Sequence, residues 1–266
     1  MKVKVFGCGA ILLMSLVAQP QAVASTQHQL DIGFTDLAGL DESFLGARYR
    51  YFAQDLESLT GPYELKAYLN QVNNYAIGGF ANDDFSYLNA DAAIYGPAGL
   101  VISASAQRLC EDNSYWQNTD YLVSAAVGKQ MNEQLQLGFN VYYSRLERHD
   151  MWFGKDNERV AVEWTYAPYV RWTNIVSNQG WDLELKQLAG RYRYVQGQAV
   201  YYVNQAWSVG VVANIRNQKN LKDNYELQTQ YWFNQHVALK FGLGSALDSG
   251  SGLNSMSLLL TACRSY

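Results

Sequence analysis

Glu133-Gln134-Leu135-Gln136-Leu137-Gly138-Phe139-Asn140-Val141-Tyr142-Tyr143-Ser144-Arg145 is the stretch on which the fold turns. Leu135, Leu137, Phe139, Val141 and Tyr143 share one parity; Gln136, Gly138, Asn140, Tyr142 and Ser144 share the other. Successive side chains of an extended chain point to opposite faces, so this segment is a ribbon with one apolar and one polar side. A strand of a soluble sandwich reads the same way, and the decision comes from recurrence. From Val160 to Trp172 the apolar parity carries Val160, Val162, Trp164, Tyr166, Pro168, Val170 and Trp172. The same alternation returns at Leu30–Phe34, Leu45–Tyr51, Tyr75–Ile77, Leu88–Ile94, Leu100–Ala106, Tyr121–Val127, Trp181–Leu185, Val195–Val203, Trp207–Ile215, Tyr225–Phe233, Val237–Leu243 and Met256–Ala262.

About fourteen such segments are predicted, within a range of 12–16, each about 9–13 residues long, the length a tilted strand needs to cross a bilayer. The links supply a second test. Those at 96–99, 130–133, 177–180, 204–205 and 234–235 are short; those at 110–118, 146–157, 217–221 and 247–253 are longer, with 82–84 and 188–190 as short exceptions. Short turns at one end and longer loops at the other mark an up-and-down transmembrane barrel. A sandwich would present many Lys and Glu on its polar faces; here those faces carry Gly, Ser, Gln, Asn and Tyr with scattered charges. Closure also removes the unpaired edges that lipid does not tolerate. The fold class is therefore all-β: a closed antiparallel transmembrane β-barrel.

Residues 56–70 break the rhythm. Leu65, Tyr68 and Leu69 take helical spacing after Gly61-Pro62, which predicts a short helical insert or plug-like turn. At the start of the chain, Lys2 and Lys4 precede an apolar run from Val5 to Ala18 and an Ala22-Val23-Ala24 site. This is the pattern of a secretory signal peptide over residues 1–24, leaving a barrel over residues 25–266. Cleavage removes Lys2 and Lys4 and no acid, taking the formal charge from -4 to -6. An acidic chain without a basic stripe is not a nucleic-acid binder. Twenty Tyr and seven Trp suit the two interfaces of a membrane. Cys110 and Cys263 fall near opposite ends of the barrel and are expected not to pair.

The segment Gly61-Pro62-Tyr63-Glu64-Leu65-Lys66-Ala67-Tyr68-Leu69-Asn70, followed by Val72 and the strand from Tyr75 to Phe80, resembles the general bacterial porin family of Gram-negative outer membranes. The resemblance covers residues 26–266. It implies a signal peptide, a barrel over the mature chain and passage of small solutes. Barrels of this kind usually end aromatic-x-aromatic, whereas Arg264-Ser265-Tyr266 keeps only the final aromatic recognised by assembly machinery.

In the barrel reading the lumen carries Asp31, Arg48, Arg50, Arg159, Glu163, Arg171, Glu184, Lys186, Arg216, Glu226 and Lys240. Rings of such charges set ion selectivity, or pair across neighbouring strands and fill a wet interior. Arg48 and Arg50 are the basic pair expected at a constriction. A barrel enzyme would need Ser beside His with a third orienting group. The histidines are His28, His149 in a loop and His236 in a turn, and Ser144 with His149 is the only candidate pair. Glu147, His149, Asp150 and Asp156 read as a solvated acidic loop facing lipopolysaccharide rather than as a metal site. The expectation is an outer-membrane channel for ions and small hydrophilic solutes, without cofactor. Both termini would be periplasmic; lipid, lipopolysaccharide and the barrel assembly machinery are the expected partners, and a homo-oligomer is an option. The alternatives are a non-conducting receptor or structural barrel and a lipid-modifying barrel enzyme.

Overall fold

A computed structural model describes residues 27–36, 43–112, 116–152, 155–190, 194–216, 223–244 and 255–264. The expected signal peptide, residues 153–154 of the expected 146–157 loop, and the links at 217–221 and 247–253 lie outside them. The strands are β1 His28–Asp36, β2 Ser43–Phe52, β3 Asn74–Ala81, β4 Phe85–Tyr95, β5 Leu100–Asp112, β6 Trp116–Gln130 and β7 Leu135–Trp152. They continue as β8 Lys155–Val176, β9 Gln179–Leu188, β10 Tyr194–Tyr202, β11 Trp207–Arg216, β12 Asn224–Asn234, β13 Val237–Gly244 and β14 Ser255–Arg264. The one α-helix among the described residues, α1, is Lys66–Leu69.

Each strand pairs antiparallel with its sequence neighbours, and β1 pairs with β14 from His28↔Arg264 to Asp36↔Met256. The ring of fourteen is closed, so strand backbone groups find partners within the sheet, as a bilayer demands. No helix among the described residues is long and apolar enough to cross a membrane.

The polarity of the two faces is the reverse of a soluble protein's. On β3, Ile77 is 61% exposed while its neighbour Ala76 is 7% exposed. Leu45, Leu88, Val127, Val162, Leu185 and Leu227 are likewise exposed on the outer face. An apolar belt continuous around the ring far exceeds the few hundred Å² of apolar patch a soluble monomer shows. Tyr75, Trp181, Trp207, Tyr231 and Phe233 stand exposed at the strand ends that carry the short turns, and Trp164, Tyr166 and Tyr225 stand nearer the opposite end. These are the two aromatic girdles of a membrane barrel.

The tight turns share one chemical device. Asn132 Oδ1 accepts from the backbone N–H of Gln134 and Leu135, Asn204 Oδ1 from Ala206 and Trp207, and Asn234 Oδ1 from His236 and Val237. An Asn side chain that mimics a backbone turn reverses the chain in few residues. The β8–β9 hairpin instead places Ser177 and Asn178 at positive φ, the two-residue geometry that matches strand twist. All of these turns lie at the end where β1 begins and β14 finishes.

The structure corrects the expected loops at 110–118 and 146–157. β5 runs on to Asp112, β6 starts at Trp116, and β7 and β8 stay paired as far as Trp152↔Lys155. The ladder continues where the apolar alternation stops. Beyond the belt both faces of the ribbon are wet, so polarity no longer reports strand parity. β8 has 22 residues against eight in β3 and β13, and the β5–β8 sector therefore projects past the rest of the rim. Cys110 lies on this projecting sector and Cys263 at the turn end; both thiols are free and buried.

Candidate pore and its plug

The 53–73 segment between β2 and β3 folds at the turn end of the barrel. It is self-braced. Lys66 Nζ donates to the carbonyl of Leu56 at 2.9 Å and of Glu57 at 3.5 Å. Asn70 Nδ2 donates to the carbonyls of Thr60 and Lys66, both at 2.9 Å. Gly61 has φ of +112°, and Leu69 Cδ1 would lie 2.7 Å from any Cβ there, so backbone conformation and packing both select glycine. Leu56 and the fully buried Val72 close a small core on Phe52 at the end of β2.

From this base the insert crosses the barrel. Leu65 packs on Val200 and Tyr202 of β10. The Tyr63 ring tilts against Trp232 of β12 at 5.7 Å, and its N–H donates to the carbonyl of Gln205 at 2.9 Å. Ser208 Oγ of β11 donates to Glu64 at 2.7 Å, and Lys240 of β13 stands 3.8 Å from the same carboxylate. Glu57 faces His236 at 3.8 Å. The Arg171 guanidinium of β8 lies 3.5 Å over the Tyr68 ring. In the closed order β8–β11 stand across the ring from β2, so the insert spans the full width. Burial in the insert lowers the Lys66 amine, an effect that Glu57 and Asp55 partly offset, and raises the Tyr68 hydroxyl.

The lumen-facing charges largely pair. Arg48 forms an ion pair with Asp91, two strands away. Arg171 makes a two-pronged contact with Asp182, Nε to Oδ1 at 2.8 Å and Nη2 to Oδ2 at 2.7 Å, and Thr173 Oγ1 donates to the same carboxylate at 2.7 Å. Lys186 pairs with Glu184 at 2.5 Å. Glu226 accepts from Ser257 at 2.9 Å. Asp31 accepts from Thr261 at 2.7 Å and from Gln29 at 2.9 Å. Glu163 approaches Gly190, where a Cβ would meet its Oε1 at 3.0 Å. Arg50 lies over the Phe52 ring at 5.9 Å and pairs with no carboxylate. Arg159 stands exposed opposite Arg148 on the projecting ribbon, above the enclosed lumen. The Arg216 side chain lies outside the described residues. Ser144 and His149 occupy opposite parities of β7, so their side chains point to opposite faces of the ribbon.

Arg171 and Glu184 stand directly opposite in register, but the pair that forms is diagonal, Arg171 with Asp182. Asp91, Asp182, Glu64 and Tyr68 join the lumen beyond the charges expected there. Register between strands was the missing signal for the first two, and the docking direction of the insert for the others.

The fold resembles a crystal structure of the outer membrane protein Omp33 of Acinetobacter baumannii, with TM-score 0.63 and 15% identity, covering 92% of this chain and 100% of that one. The chain is a closed, fourteen-stranded antiparallel β-barrel. More distant matches are BamA from Haemophilus ducreyi lacking POTRA domains 1–3, at TM-score 0.48, 10% identity and coverage of 84% and 58%, and a Rhodopseudomonas blastica porin, at 0.42, 8%, 90% and 99%. No protein-family model and no curated protein matches the sequence.

Proposed function

We propose that this barrel is an outer-membrane channel for ions and small hydrophilic solutes, closed at its turn end by the 53–73 insert in the state described. Both termini then face the periplasm, with the projecting β5–β8 ribbon outside among lipopolysaccharide headgroups. One observation carries the reading: the insert spans a polar lumen, and beside the packing of Leu65 and Tyr63 it is held to the wall by separable polar contacts. Glu64–Lys240 and Glu57–His236 are at 3.8 Å, and Ser208 adds a single hydroxyl. Partly exposed ion pairs of this kind contribute about 0–1 kcal/mol each, so the contacts can exchange for water without unfolding the barrel. The histidines support a passive role rather than hydrolysis. His28 Nδ1 bonds Tyr49, His236 faces Glu57, and His149 is turned away from Ser144.

The test is planar-bilayer conductance of the refolded barrel beside a variant in which residues 54–72 are replaced by Asn-Gly. Ala53 N–H already donates to the carbonyl of Asn73 at 2.8 Å, so the strand ends stand ready for a tight hairpin. The full chain should open in brief, stepwise events, and the shortened chain should conduct continuously at a severalfold larger current. Silence from a folded shortened barrel would sink the channel reading.

A further inference from the structure

Immediately above the insert, between it and the wall of β1, β2 and β12–β14, lies a cavity of about 220 Å³. It runs on into a second cavity of about 420 Å³ on the loop side, and Asp31, Arg48 and Lys240 line both. The lower cavity brings together four cationic side chains, Arg48, Arg50, Lys66 and Lys240, and three carboxylates, Asp31, Glu57 and Glu64.

Counted with Asp91, the partner of Arg48, cations and carboxylates here balance at four each, and their contacts are what distinguish them. Arg48 pairs with Asp91, Lys66 donates to two backbone carbonyls, and Lys240 shares Glu64. Asp31 is held by Gln29 and Thr261, and Glu57 faces His236. Arg50 differs. Its Nε, like that of Arg48, is buried without a hydrogen-bond partner, but it makes no ion pair among the described residues: its guanidinium lies 5.9 Å from the Phe52 ring centre, and Asp31 and Asp91 act on it only at longer range. A guanidinium with no carboxylate in contact has donors to spare, and a carboxylate offers the planar, two-oxygen partner that its fork of donors fits.

We propose that Arg50 anchors a solute site for small monocarboxylates with an aromatic or short apolar body. The proposal names the solute class of the channel described above and rests on that reading for its role in transport. The carboxylate would take the open edge of Arg50. The body would lie along Phe52, Tyr63 and Trp232, which form the apolar side of the same cavity. One carboxylate matches the one guanidinium of the cavity that no carboxylate contacts. A doubly charged phosphate would leave its second charge facing Asp31, Glu57 and Glu64. Chloride would leave the aromatic wall unused.

The experiment is calorimetric titration of the refolded full-length barrel in uncharged detergent with benzoate, with its neutral isostere benzamide, and with chloride, at constant ionic strength. Saturable benzoate binding is expected, with at least tenfold weaker binding of the other two. Arg50→Gln should weaken benzoate at least tenfold. Arg50→Lys, which keeps the charge and loses the fork, should fall between. Equal binding of benzoate and benzamide, no benzoate binding, or a folded Arg50→Gln barrel that binds as the parent does would overturn the site. If Arg50→Gln does not fold, the parent's benzoate-to-benzamide ratio decides alone. Benzoate binding to a barrel that stays silent in bilayers without its insert supports the site and overturns the channel. Conduction without benzoate preference overturns the site alone.

Discussion

Lys66 is 4% exposed, and its ammonium is satisfied by backbone carbonyls of the insert it belongs to. Burial lowers this amine below its ordinary 10.5, against the smaller opposing pull of Glu57 and Asp55. An undocked, solvated insert would titrate near 10.5 and so binds the extra proton first as pH falls. Between the lowered value and 10.5 the undocked form holds more protons, and docking therefore strengthens as pH rises through that window. Below the window both forms are charged, and the cost of burying the ammonium is constant. Tyr68, whose hydroxyl burial raises above 10.0, opposes this trend only at higher pH. The channel should therefore spend less time open as pH climbs toward 10, and Lys66→Met should flatten the profile. Bilayer recordings across that range test it, and an unchanged profile in Lys66→Met would remove Lys66 from the docking equilibrium. At this scale the sequence shows Lys66 only as a member of the Gly61–Asn70 segment. Its burial follows from a carbonyl pair ten and nine residues back, a contact that periodicity does not encode.

The elements divide into those whose two faces differ and those whose faces do not. Every strand within the apolar belt was legible, because lipid on one side and water on the other write a period of two into the residues. The 56–70 break was legible as an interruption, and its helix proved to be the short Lys66–Leu69 turn. The outer halves of β7 and β8 were not legible: Glu147, Arg148, His149 and Asp150 stand in wet ladder positions where no face is apolar. In this ladder, amide hydrogens of residues 146–150 and 155–159 that point into the β7–β8 pairing should exchange at least tenfold more slowly than an open loop. Hydrogen exchange of the refolded barrel measures this. Loop-like rates at those amides would restore the long loop that the residue pattern suggested.

For the whole molecule the argument rests on inverted surfaces, since a closed antiparallel ring is compatible with water or with lipid outside. Val211 and Asn214 lie on the same strand and separate the two cases. Val211 is 36% exposed on the outer face. Asn214 faces the lumen, where its Nδ2 donates to Asn224 of β12 at 2.7 Å. Val211→Arg should cost about 2–4 kcal/mol in a bilayer, the charge of an arginine near the midplane of a barrel's lipid face. Asn214→Arg should cost about 1 kcal/mol, mainly the lost side-chain hydrogen bond, because water reaches the new charge. Urea unfolding from lipid vesicles gives both values on one scale. In detergent-free water a soluble sandwich would tolerate the outer arginine better than the inner one, since the outer face would be its solvent face. The order of the two substitutions, rather than either magnitude, therefore tells whether the face carrying Leu45, Ile77, Val127 and Leu227 meets hydrocarbon.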